Sequence, residues 1–141
     1  MKFQKINGWG RNKSADVTVF NPSDQKLLSD LLKKSDRQSI IARGLGRSYD
    51  DSAQLDKKNV IELKKFNAIQ LNKKENLVTA QAGVSFDHLL NYLVPKGFFL
   101  PVSPGTRFVT VGGAIASDIH GKNHHINGSF GQNLKNIVLM D

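Results

Sequence analysis

Cysteine is absent, so disulfides, thiolate metal sites and cysteine nucleophiles are excluded. Long apolar runs are missing too, and no stretch approaches the roughly 20 residues of a membrane span. The opening MKFQKINGWG lacks the apolar core of a secretory signal. These features are compatible with a cytoplasmic protein, with membrane association left open. No repeat, linker or low-complexity run occurs. With 141 residues the chain suits one compact domain better than two independent ones, and 39% hydrophobic with 23% charged residues is ordinary for a globular fold.

Acidic residues are outnumbered, and the imbalance is local. Residues 1–76 hold 16 Lys/Arg against 9 Asp/Glu, whereas residues 77–141 hold 4 against 3. Lysines come in pairs at Lys33–Lys34, Lys57–Lys58, Lys64–Lys65 and Lys73–Lys74. Such a half is a solvated face, or it meets nucleic acid, an anionic membrane or a phosphorylated ligand. Binding of single strands would bring aromatic platforms among the cations. Phe3, Trp9, Phe20, Tyr49 and Phe66 do not cluster with the lysine pairs, so nucleic acid is not an expected partner. A basic nucleotide- or nucleic-acid-binding module without catalysis stands as the alternative reading.

The elements alternate. Val17–Phe20 reads as a short strand. Asn21 is a helix cap with Pro22 and Asp24 in the first turn, ahead of a stripe of Leu27, Leu28, Leu31 and Leu32. Ile40–Ala42, Val60–Leu63, Ile69 with Leu71, and Leu77–Ala80 read as further strands. Ser85 caps a second helix carrying Phe86, Leu89, Leu90 and Leu93, which Pro95 and Gly97 end. A short helix falls around Val111–Ser117, and Asn136–Met140 reads as a last strand. The pattern predicts an α+β architecture of two small αβ units dividing near Phe66. The abrupt end at Asp141, directly after a strand, suggests a piece of a longer chain.

Three segments carry chemistry. The strand Ile40–Ala42 runs into Arg43-Gly44-Leu45-Gly46-Arg47-Ser48. Two glycines let successive N–H groups converge on an anion, while the serine hydroxyl and two arginines add donors and charge. It is not a Walker loop, since no GKS or GKT follows, and the G-x-G-x-x-G spacing fails at Tyr49. The bland alternative is a tight turn with solvent-facing arginines. In the second segment, Thr110 can cap a helix whose first turn holds Gly112 and Gly113. That bareness admits either a ligand or a tightly packed neighbour. The third segment, Asp118-Ile119-His120-Gly121-Lys122-Asn123-His124-His125, concentrates histidines, but no HExxH-like register aims them together, and no metal is expected.

Together these segments resemble the FAD-binding domain of the vanillyl-alcohol-oxidase/PCMH flavoprotein family. The likeness runs through GWGR (Gly8–Arg11), IARGLGRSY (Ile41–Tyr49), AGV (Ala82–Val84), PGTR (Pro104–Arg107), VTVGGAIA (Val109–Ala116), DIHGKNHH (Asp118–His125) and GSFG (Gly128–Gly131). Several blocks in one order are far more specific than a single glycine loop. The first and the DIHGKNHH blocks point to members that oxidise sugar lipids for cell-wall arabinan.

The resemblance implies a PCMH-type FAD-binding domain of two αβ subdomains, 1–65 with the pyrophosphate loop and 66–141, and a substrate domain that this chain lacks. It implies that Ala42, Arg43, Gly44, Leu45, Gly46, Arg47, Ser48, Tyr49, Asp50, Asp51 and Ser52 wrap the FAD diphosphate, with Tyr49 close to the ring. Gly105, Thr110, Val111, Gly112, Gly113, Ser117, Asp118, Ile119 and His120 would line the rest of the cofactor. His120 and Lys122 would be catalytic, beside the flavin on the substrate side. The implied activity is oxidation of a secondary alcohol of a sugar or polyprenyl-phosphoryl sugar, with a short-chain dehydrogenase as a partner subunit. Three departures matter. The family's YGD is here Tyr49-Asp50-Asp51, which puts a carboxylate beside the loop. Ser117 stands where sugar-lipid oxidases have cysteine. Arg47 stands where members with covalently attached FAD have histidine, so the expected FAD is non-covalent.

Overall fold

The computed structural model describes residues 2–140. The chain divides into two compact units, the first taking the residues up to Phe66 together with Met140 and the second spanning Asn67–Leu139.

The first unit is a four-stranded mixed sheet with one long helix. Strands β1 (Lys2–Asn7) and β2 (Ser14–Phe20) form an antiparallel hairpin in register Ile6 with Ala15 and Gln4 with Val17. Strands β3 (Ile40–Arg43) and β4 (Asn59–Glu62) follow, and β4 lies parallel to both β2 and β3, giving the order β1-β2-β4-β3. Side chains alternate across a strand, and each sheet face acquires its own core. Ile6, Ala15, Val17, Val19 and Val60 pack on one face, joined by Ile41. Ile61, Phe66 and Leu28 pack on the other, with Leu31, Leu32 and Ile40. Neighbouring residues Val60 and Ile61 thus serve opposite cores. Parallel strands need a crossover, and helix α1 (Gln25–Lys34) supplies the one after β2.

Asp24, not Asn21, caps α1. Its carboxylate accepts from the Leu27 N–H at 2.9 Å and from the Ser23 hydroxyl at 3.0 Å. Pro22 is buried upstream of the cap instead of opening the helix. Two capping residues stand three apart, and the one that puts Leu28, Leu31 and Leu32 against the sheet prevails. β1 carried no assignment from sequence, because its polar residues are the exposed ones of a hairpin edge.

The second unit holds an antiparallel hairpin, β5 (Ile69–Asn72) with β6 (Leu77–Ala80), and three helices. In α2 (Phe86–Leu93) the Ser85 hydroxyl accepts from the His88 N–H at 3.1 Å, so the cap stands where its spacing put it. Phe86, Leu89 and Leu93 enter a core with Val84, Leu100, Val102, Val111, Ala114 and Phe130. The short helices are α3 (Val111–Ala116) and α4 (His124–Asn127), the latter unsignalled by any apolar periodicity. The strand expected at Asn136–Met140 does not form. Among the described residues this segment pairs with none, and Val138 is 96% exposed. Its β-branched composition favours a strand, but propensity needs a partner edge to act on.

Candidate functional site

In the first unit the parallel strands direct their carboxyl ends to one edge of the sheet, where the Arg43–Ser48 loop leaves β3. Open α/β sheets place ligands at such ends. Gly46 has φ of 66°, a left-handed value that L side chains rarely adopt. Among the described residues, the backbone N–H groups of Leu45, Gly46, Ser48 and Tyr49 donate to no protein acceptor. A cavity of about 230 Å³ lies alongside, lined by Ile6, Asn7, Arg43, Gly44, Leu45, Glu62 and Lys64.

The two arginines are not equivalent. Arg43 turns inward, where Nη2 donates to the Asn7 carbonyl at 2.6 Å and Nη1 to the Ala53 carbonyl at 3.0 Å. It ties both ends of the loop to the strand frame and is not a free phosphate ligand. Burial pushes its pKa below the ordinary arginine value, and Glu62 acts in the opposite sense. Arg47 lies with its guanidinium carbon 4.5 Å from the centre of the Trp9 ring. The carboxylate that departs from the family pattern, Asp50, has a paired neighbour in Asp51. Lys13 Nζ lies 2.9 Å from Asp51, lowering the pKa of that carboxyl through a hydrogen bond and charge, while Asp50 is solvent-exposed.

Sequence reasoning gave the GWGR block no task, yet the structure gives it one. The Trp9 N–H donates to the Ser48 carbonyl at 2.8 Å and the Gly10 N–H to the Tyr49 carbonyl at 3.2 Å. A Cβ at Gly8 would fall on the Asp50 carbonyl oxygen. The detectable signal was a pair of glycines flanking a lone tryptophan.

In the second unit the glycine pair of α3 is explained by packing. Val111 N–H donates to Val84 O at 2.8 Å, Gly112 N–H to Ala82 O at 2.9 Å, and Gly113 N–H to the Thr110 hydroxyl at 3.1 Å. A Cβ on Gly112 would lie 3.0 Å from that of Ala82. This helix start therefore offers no open anion cradle, contrary to one of the two expectations for it. Ser117 is exposed and Ile119 half-buried against the core. The Asp118 carboxylate accepts from the Gly131 N–H at 2.7 Å, so it staples the DIHGKNHH segment to the GSFG segment. Gly105 differs: a Cβ there would meet nothing within 4 Å, so nothing in this unit demands glycine. It lines a cavity of about 450 Å³ with Phe99, Leu100, Pro101, Ser103, Pro104, Lys122 and Asn123. His120 is exposed, with its ring centroid 5.4 Å from that of His124. Among the described residues no group of three His, Cys, Asp or Glu side chains is placed to hold a metal. Nor is any described helix long and apolar enough to cross a membrane.

Known proteins resemble this chain in sequence and in fold. A family model described as an FAD-binding domain matches residues 17–141. Decaprenylphosphoryl-beta-D-ribose oxidase of Mycolicibacterium smegmatis is 42% identical over 141 aligned positions, covering 97% of this chain and 31% of the relative. An uncharacterized protein in the mprA 5' region of Streptomyces coelicolor is 47% identical over 51 positions, covering 36% of this chain and 14% of its own length. Among solved structures, a solvent-stable cholesterol oxidase superposes with a TM-score of 0.73 at 21% identity, covering 84% of this chain and 24% of that one. An alkyldihydroxyacetonephosphate synthase does so with a TM-score of 0.66 at 18% identity, covering 86% and 24%. These structural likenesses bear out the expected α+β, PCMH-type fold. The chain spans about a third of the ribose oxidase and about a quarter of those structures. With the family model running through both units and an amide-rich loop at the sheet's carboxyl edge, the chain belongs to the FAD-binding domain family, and FAD is its cofactor.

Proposed function

We propose that this chain is the FAD-holding part of a flavin-dependent oxidoreductase that oxidises a secondary alcohol of a sugar or sugar lipid. The observation that carries the reading is the β3 loop: four uncommitted amides, a glycine in the left-handed region and a stacked arginine fit a diphosphate. FAD, when bound, supplies an isoalloxazine ring that accepts hydride from the alcohol carbon. Residues Ala42 to Ser52 hold the diphosphate, with amides of Leu45, Gly46, Ser48 and Tyr49 and the Ser48 hydroxyl as donors. Arg43 fixes the shape of the loop, and Arg47 supplies charge. Arg47 in place of an attaching histidine makes the binding non-covalent.

Gly105, Thr110 to Gly113 and Ser117 to His120 line the rest of the cofactor. Because the α3 amides are committed, that lining acts through shape and carbonyl groups. His120 orients the alcohol and Lys122, on the rim of a largely apolar cavity, favours an anionic phosphate. The name of the ribose oxidase suggests a polyprenyl-phosphoryl pentose as substrate. A further domain would close the second wall of the pocket and exclude water, which the loaded chain alone would not do. A short-chain dehydrogenase partner and a cytoplasmic, membrane-associated location complete the proposal.

The test is to load the chain with FAD and add a polyprenyl-phosphoryl pentose without oxygen, with and without the substrate-domain region of the ribose oxidase as a separate polypeptide. Flavin bleaching that needs the added region is the expected result. No bleaching in either arm overturns the assigned substrate. Bleaching by the chain alone at roughly 1 per second or faster overturns the placing of the second wall.

A further inference from the structure

We infer that Trp9 is a positioning residue: it holds Arg47, and with it the carboxyl half of the β3 loop, in the conformation that receives a diphosphate. The inference rests on the FAD reading above. A trans peptide plane carries its C=O and its following N–H on opposite sides. The Ser48 carbonyl is drawn to the Trp9 N–H at 2.8 Å, which turns the Tyr49 N–H away from the Gly8–Gly10 segment, and that N–H is one of the uncommitted amides. The Tyr49 carbonyl is drawn likewise to the Gly10 N–H at 3.2 Å, which turns the Asp50 N–H the same way.

The two backbones lie too close for side chains on either flank of the tryptophan. A Cβ at Gly8 would strike the Asp50 carbonyl, and one at Gly10 the Tyr49 carbonyl. The preceding residue is held as well, because the Asn7 carbonyl accepts from Arg43 at 2.6 Å. Trp9 is therefore delivered to a fixed place, and its ring carries Arg47 at 4.5 Å. Trp9 is 57% exposed, so core burial does not explain a large aromatic here. A π face under a guanidinium holds the cation without neutralising it, unlike a carboxylate.

The experiment measures equilibrium binding of FAD, ADP and riboflavin to the wild-type chain, Trp9→Leu and Trp9→Phe, beside thermal melts of each ligand-free protein. FAD and ADP share the diphosphate, and riboflavin lacks it. Leucine removes the π face, and affinity for FAD and for ADP is expected to fall by the same factor, about fivefold. Riboflavin binding should be unchanged, and phenylalanine should restore FAD and ADP to within about twofold of wild type. Equal losses for riboflavin and FAD, a phenylalanine variant no better than leucine, or FAD affinity unmoved by leucine would each overturn the inference. A wild-type chain that binds ADP but not FAD defeats the flavin reading and leaves the ADP series to decide about Trp9. One that binds neither overturns both.

Discussion

Residue by residue, the loop shows that similar side chains take opposite tasks. Arg43 and Arg47 are four apart, but the first is spent on the Asn7 and Ala53 carbonyls while the second lies on an aromatic face. Gly46 stands between them at φ of 66°, and a Cβ there would run into the Arg43 guanidinium. Gly46→Val adds left-handed strain, of order 1–2 kcal/mol, to that collision. FAD affinity should fall at least tenfold, about 1.4 kcal/mol. Titration with FAD measures this, and an unchanged far-UV circular dichroism spectrum shows the fold retained. Unaltered affinity would make the loop an ordinary turn.

At the level of elements, the helix starts govern how each helix meets its core. Ser85 and Phe86 are adjacent, so the cap that fixes the first turn of α2 also fixes a fully buried ring that lies 5.2 Å from Phe130. Ser85→Ala should lower unfolding free energy by about 1 kcal/mol, read as a smaller urea midpoint. Asn21→Ala should change it by less than about 0.5 kcal/mol, because Asp24 does the capping. The Asp24 cap also predicts a pH dependence. The Leu27 N–H, and after it the Ser23 hydroxyl, hold this carboxyl below its ordinary pKa. A folded pKa below the unfolded value means the contribution is present above about pH 3.9 and is lost as pH falls through the folded pKa. Asp24→Asn, which keeps a cap but cannot titrate there, should lose less stability than wild type between about pH 4 and pH 2. Parallel urea curves across that range check it, and identical pH profiles would remove Asp24 from the account.

For the whole molecule, two units each carry part of the family's pattern. The Arg43–Ser48 loop belongs to the first, and the cavity with Gly105 and Lys122 to the second. Arg47 excludes the histidine linkage in this loop, so heat or acid should release all flavin to the supernatant with the precipitate colourless. Absorbance of the two fractions decides, and yellow precipitate would defeat the assignment.

Much was determined by the chain's own pattern. The β3, β4, β5 and β6 strands, the Ser85 cap and the α3 start are local matters of period, capping and glycine, and they stand where those signals put them. The family was legible as well, because ordered blocks from GWGR to GSFG encode backbone shapes that few sequences share. Tertiary contacts decided the rest. Which of Asn21 and Asp24 caps α1 depended on which start lays Leu28 against Ile61. Whether the apolar segment at residues 136–140 became a strand depended on an edge to pair with. The fates of Arg43, Asp118 and Gly112 were set by the Asn7 carbonyl, the Gly131 amide and Ala82, each far away in sequence. Sequence periodicity reports which face a residue occupies, but a hydrogen bond or close approach across tens of residues exists only once the chain has folded.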